Sequence, residues 1–184
     1  RTRDLDGKTL GLVGLGRTGR ATARRARGFD VRLIAHDPYV SLTPAERSEL
    51  GVELVSQERL FREADIVCCH VPLTDETRHL IGHRTLGWMK PDAYLVNVSR
   101  GGVVDQEALV EALRARRIAG AGLDVFSPEP LPPGHPFTTL DNVVLTPHIA
   151  AGTLDAFRTK MRFAFENMRR YAEGEPPLER VPGT

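Results

Sequence analysis

Short apolar segments alternating with helical ones constrain this chain more than any other feature of it. Leu10 to Gly14 (LGLVG), Val31 to His36 (VRLIAH), Ile66 to Cys69, Ala93 to Val98 and Ile118 to Val125 read as short strands, with weaker ones at Val52 to Val55 and Val143 to Thr146. Between them lie helical patterns near Arg17 to Arg27, Thr43 to Leu50, Gln57 to Glu63, Arg84 to Met89 and Asp105 to Arg117. The last of these repeats Leu109, Val110 and Leu113 at helical spacing. Parallel neighbours need a crossover connection, and helical crossovers cover the sheet. The expected fold is α/β and doubly wound, with a mostly parallel sheet of about seven strands and helices on both faces.

A Pro-rich loop, SPEPLPPGHP, precedes the last strand, and an amphipathic helix from Thr153 to about Glu173 ends at Gly174. At 184 residues the chain suits one core. Residues 1 to 174 are expected to form one domain, with 175 to 184 as a tail. The first residue is Arg1 rather than Met, so a processed chain or a piece of a longer protein is expected.

Composition narrows the partners. With 41% hydrophobic residues, 27% charged and a formal net charge of +1, nothing draws the chain toward nucleic acid or an acidic membrane. The basic run RTGRATARRAR lies on one predicted helix and reads as a solvated face. Cys68 and Cys69 are adjacent on a strand and point to opposite faces, which rules out a disulfide framework and suits a reducing cytoplasm. There is no apolar run of membrane-spanning length and no secretory pattern.

GLGRTG places Gly14, Gly16 and Gly19 in G-x-G-x-x-G spacing, directly after a strand and before a helix. The first glycine permits a tight turn, the second lets the backbone approach a pyrophosphate, and the third lets helix pack on strand. The helix N-terminus then offers free amide hydrogens and partial positive charge. Asp37 ends the second strand, where a carboxylate can accept hydrogen bonds from both ribose hydroxyls of an adenosine. AHDPYV offers no arginine for a 2'-phosphate, so NAD is expected rather than NADP, in a Rossmann domain.

In doubly wound sheets ligands sit beyond the carboxyl ends of the strands. Arg100 follows LVNVS, Asp124 lies within GLDVF, His148 follows VVLTP, and Glu129 stands in the Pro-rich loop. A guanidinium can hold a carboxylate through two parallel hydrogen bonds and polarise a neighbouring carbonyl. A histidine transfers protons near neutral pH, and a carboxylate beside it stabilises the imidazolium and orients it. With NADH these are the parts for reducing a 2-keto acid.

The stretches GLVGLGRTG, HDPYV, HVPLTDETRHLI, MKPDAYLVNVSRGGVVDQEALVEAL, AGAGLDVFSPEPLP and TPHIA run in order over residues 5 to about 178. With them the chain resembles the nucleotide-binding domain of the D-isomer-specific 2-hydroxyacid dehydrogenases, the family of phosphoglycerate dehydrogenase and glyoxylate or hydroxypyruvate reductase. The resemblance implies Arg100 as binder of the substrate carboxylate and carbonyl, His148 as acid/base and Glu129 as its partner. It implies cofactor contacts from Arg17 and Thr18 at the pyrophosphate turn, Asp37 at the ribose, and Val71, Pro72 and Thr77 in the Thr-rich loop. Val98 and Ser99 beside the nicotinamide, Asp124 at the carboxamide, and Ala151 complete that set. No metal is implied. Glu129 argues against formate dehydrogenase, whose similar site has glutamine there.

In that family a second, substrate-binding domain faces the nucleotide domain. Its first part has no counterpart in this chain, so the expectation is NAD binding with little or no turnover. A homodimer is expected from the resemblance. Two rival readings share the Arg, Glu and His set: an NAD-sensing module like the C-terminal-binding-protein corepressors, and a phosphite-dehydrogenase-like enzyme.

Overall fold

The computed structural model describes residues 4–179. It divides into two compact units, Arg1–Pro147 and His148–Thr184. The expected domain running to residue 174 places that boundary later, and residues 180 to 184 of the expected tail lie outside the described residues.

The first unit carries strands β1 (Thr9–Val13), β2 (Arg32–His36), β3 (Val52–Leu54), β4 (Ile66–Cys69), β5 (Tyr94–Asn97), β6 (Gly120–Leu123) and β7 (Val143–Leu145). Helices α1 (Arg17–Ala26), α2 (Pro44–Leu50), α3 (Gln57–Glu63), α4 (His83–Trp88) and α5 (Gln106–Arg114) connect them. All seven strands join one sheet in the order β3-β2-β1-β4-β5-β6-β7. Every pairing is parallel. The chain starts at β1, winds outward to β3, then crosses back to β4 on the other side of β1. That reversal leaves a crevice beyond the carboxyl ends of β1 and β4, the general ligand position of such sheets.

Alternation along the strands builds two cores. Val13, Ile34, Val67, Cys69, Leu95, Ala121 and Leu123 pack on one face with Leu60 and Phe61 of α3, Leu86 of α4, and Leu109 and Leu113 of α5. Leu10, Leu12, Leu33 and Ala35 pack on the other face with Ala23 and Ala26 of α1 and Leu50 of α2. Cys69 belongs to the first core and Cys68 lies against the second, so the two thiols are free and face apart as expected. Burial pushes the Cys68 thiol up to about 11 and raises Cys69 further.

Helices do lie on both faces, but coverage is unequal. On the α1/α2 side, β5 to β7 present Tyr94 and Val144 to solvent, at 42% and 68% exposure. The basic helix α1 behaves as a solvated face: Arg20 and Arg24 pair with Glu46 and Glu49 of α2, each at 2.7 Å. The Thr43 backbone N–H, then Arg20, hold the Glu46 carboxyl at about 2.

The second unit contains α6 (Leu154–Ala172), capped by Thr153, whose hydroxyl accepts from the Ala156 N–H at 3.1 Å. Among the described residues no helix is long and apolar enough to cross a membrane.

Candidate functional site

The glycine turn is shaped by its neighbours. Gly14 has φ of +95°, and a Cβ there would lie 2.8 Å from Val71 Cγ1 and 3.0 Å from the His70 backbone. At Gly19 a Cβ would stand 2.3 Å from the Gly14 carbonyl oxygen, so the helix can approach the turn this closely only without a side chain. Gly16 meets nothing within 4 Å. Its open side is flanked by Arg17 and Thr18, both exposed. Side-chain oxygens of Thr43, Ser56 and Asp105 cap α2, α3 and α5, whereas α1 begins at Gly16 with no side-chain cap. A helix start without a side-chain cap is a position that favours an anion.

Asp37 sits one residue beyond β2. Its Oδ2 accepts the Leu15 N–H at 2.8 Å and its Oδ1 accepts the Tyr39 N–H at 3.0 Å. One carboxylate therefore braces the glycine turn and retains acceptor sites for ribose hydroxyls, since an ionised carboxylate has about four. From there a cleft of about 250 Å³ opens, lined by Gly14, Gly16 and Asp37 on one side and Val71, Pro72 and Thr77 on the other. Thr77 closes the loop after β4 on itself: its Oγ1 donates to the Pro72 carbonyl at 2.6 Å and accepts the Thr74 N–H at 2.8 Å. His70 lines the cleft too, with both ring nitrogens buried and unpartnered, and burial lowers its pKa. A dinucleotide fits this set: a hollowed turn, a helix start without a side-chain cap, a ribose acceptor and a cleft between.

Arg100 owes its position to a residue that motif reading passes over. Asn97, 1% exposed, ends β5. Its Oδ1 accepts from the Ser99 N–H at 3.0 Å and the Ser99 hydroxyl at 2.8 Å, and its Nδ2 donates to the Arg100 carbonyl at 3.0 Å. An asparagine inside an otherwise apolar strand is the available signal. After Arg100 comes a 3₁₀ turn, Gly101–Val103, seated against Phe126. The Arg100 side chain is exposed and donates to the Ser99 carbonyl at 2.7 Å, and among the described residues it has no carboxylate partner.

On the adjacent strand β6, Leu123 stands beside Asn97, so Arg100 and Asp124 both follow neighbouring strand ends. Asp124 is buried, its N–H donating to the Asn97 carbonyl at 3.0 Å and its Oδ1 accepting from the Thr146 hydroxyl at 2.5 Å. Glu129 reaches back so that its Oε1 accepts the Phe126 N–H at 2.8 Å. Val98 and Ser99 lie in the same β5 turn, Val98 38% exposed. His148 and Ala151 belong to the second unit. His148 is exposed there, with φ of +55°, a left-handed conformation that a non-glycine residue adopts at a cost of about 1–3 kcal/mol.

A parallel doubly wound sheet with a hollowed glycine turn and an acid after its second strand defines a dinucleotide-binding domain. Residues 1–150 match the family model described as "D-isomer specific 2-hydroxyacid dehydrogenase, NAD binding domain". The chain belongs to the D-isomer-specific 2-hydroxyacid dehydrogenases and comprises their NAD-binding domain. A glyoxylate reductase of Thermofilum pendens is 49% identical over 174 residues, covering 95% of this chain and 51% of that protein. The crystal structure of a Thermus thermophilus protein, TT0316, aligns with TM-score 0.87 and 46% identity, over 95% of this chain and 54% of that one. D-Lactate dehydrogenase with NAD+ from Lactobacillus jensenii aligns with TM-score 0.86 and 31% identity, over 95% and 55%. The chain thus spans about half the length of the relatives it matches.

Proposed function

We propose that this chain serves an enzyme that reduces a small 2-keto acid to the D-2-hydroxy acid with NADH. The observation that carries the reading is Arg100: an exposed guanidinium with no carboxylate partner among the described residues, braced by Asn97 beyond β5, beside the strand end that holds Asp124. Bound NADH would supply a hydride for the substrate's carbonyl carbon. Gly14, Gly16, Arg17, Thr18 and Gly19 would hold its diphosphate, with Asp37, Val71, Pro72 and Thr77 at the adenosine end. Val98, Ser99, Asp124 and Ala151 would keep the nicotinamide end.

Arg100 grips the substrate carboxylate with two parallel hydrogen bonds and polarises the adjacent carbonyl. His148 delivers the proton to the carbonyl oxygen. Glu129 favours the protonated imidazole before transfer and fixes the ring's orientation. The working unit is a homodimer in a reducing compartment, where Cys68 and Cys69 stay thiols.

The exposure of Arg100 has a consequence for activity. A guanidinium open to water is competed for by solvent, which weakens its hold on a substrate carboxylate. This 184-residue chain is therefore expected to bind NADH yet oxidise it slowly, if at all, with glyoxylate, hydroxypyruvate and pyruvate. A form extended to the length of the relatives should turn over. Absorbance at the NADH band checks both; an extended form inert toward 2-keto acids but active with NAD+ and phosphite would contradict the reading.

A further inference from the structure

The cofactor cleft contains a second carboxylate that the role of Asp37 leaves unused. Its described lining includes two carboxylates, Asp37 and Glu76, and no lysine or arginine. Glu76 stands on the loop after β4, across the cleft from the loop after β2 that carries Asp37 and Tyr39. The Tyr39 hydroxyl donates a short hydrogen bond to Glu76 Oε2, bridging the two loops. That bond is the first cause of the raised Tyr39 pKa, and the charge of Asp37 adds to it, so both carboxylates act on one point. Among the described residues Glu76 has no cationic partner, so its charge stands unneutralised at the cleft.

We infer that Glu76, through its charge alone, is a second determinant of the preference for NAD over NADP. The inference rests on the reading of the cleft as the adenosine end of the dinucleotide site. A ribose hydroxyl is neutral and meets Asp37 as a hydrogen-bond donor. A 2'-phosphate instead brings about −1.5 to −2 charges at neutral pH, and it would enter between two carboxylates rather than beside one. Like charges repel over distances comparable to the Debye length, about 8 Å at physiological ionic strength. Glu76 thus penalises the phosphate through space, without needing to touch the ribose.

The test is a titration of the chain with NADH and with NADPH, followed by nucleotide fluorescence, for the wild type, Glu76→Gln and Tyr39→Phe. Glu76→Gln is expected to raise the ratio of NADPH to NADH affinity roughly three- to tenfold, as loss of one partly screened charge facing a multiply charged group should. The gain should shrink as ionic strength rises. Tyr39→Phe cuts the bridge but leaves both carboxylates charged, and should move the ratio less than about twofold. An unchanged ratio in Glu76→Gln, a gain indifferent to salt, or an equal gain from Tyr39→Phe would overturn the inference. Failure of the wild type to bind NADH at all would overturn the reading of the cleft itself, and the inference with it.

Discussion

Replacing Arg100 with alanine in the complete enzyme is expected to lower kcat/KM for 2-keto acids by about 10²- to 10³-fold, the range for loss of one preorganised charge-stabilising donor. NADH should still bind, because the turn at Gly14 to Gly19 and the acceptor at Asp37 lie beyond other strands of the sheet. Arg100→Lys should recover only part of the loss. A lysine keeps the charge but cannot offer two parallel donors to one carboxylate. Steady-state kinetics with glyoxylate, beside a direct NADH titration of each variant, separates the two contributions. Equal loss of cofactor binding and turnover would place the guanidinium in folding rather than in substrate capture. The scale of the expected effect follows from the local arrangement: a buried asparagine commits both ends of its amide to this one turn.

The second large effect is on stability. Gly101→Ala would set a methyl group 1.9 Å from the Phe126 carbonyl oxygen and 2.0 Å from its carbonyl carbon. Both are backbone atoms, so no side-chain rotation relieves the clash, and the β5 turn or the segment after β6 must move. We expect a loss of about 3 kcal/mol or more in urea unfolding, at the upper end of overpacking penalties. Turnover should fall as well, since the displaced turn carries Arg100 and the displaced segment leads to Glu129. A variant as stable as the wild type would show that the two turns are not packed as described.

Much of this is legible in the sequence, and the particular residues show why. The strands of LGLVG, VRLIAH and IVCC stand out as apolar runs between breakers, and the glycine spacing gains meaning from the strand before it and the helix after it. Element ends move by a few residues, as at β6, where Ile118 to Val125 shortens to Gly120–Leu123. The 3₁₀ turn at Gly101–Val103 is invisible in the sequence because three residues hold no periodicity. The open side of β5 to β7 is hidden for a different reason: Val144 looks like a core residue, and a short apolar run does not tell which of its faces is covered.

Within the site, residue types are readable but partnerships are not. Asp37 stands out as a ribose acceptor, yet its bond to the Leu15 amide spans 22 residues and has no local signature. The Tyr39 to Glu76 bridge spans 37 and belongs to no motif. Such contacts arise only once the sheet order brings the β2 and β4 loops to opposite sides of one cleft. His148 and Ala151 are assigned by family resemblance, and they fall in a unit separate from Arg100 and Glu129.

The most direct test is a comparison of NADH affinity between the wild-type chain and Gly16→Ala. A methyl group at Gly16 meets nothing within 4 Å in the protein, so the variant should fold with unchanged stability. If the turn cradles a diphosphate, that methyl group occupies the approach, and NADH should bind saturably to the wild type and roughly tenfold or more weakly to the variant. Equal affinity in the two, with both fully folded, would contradict a dinucleotide seated on this turn.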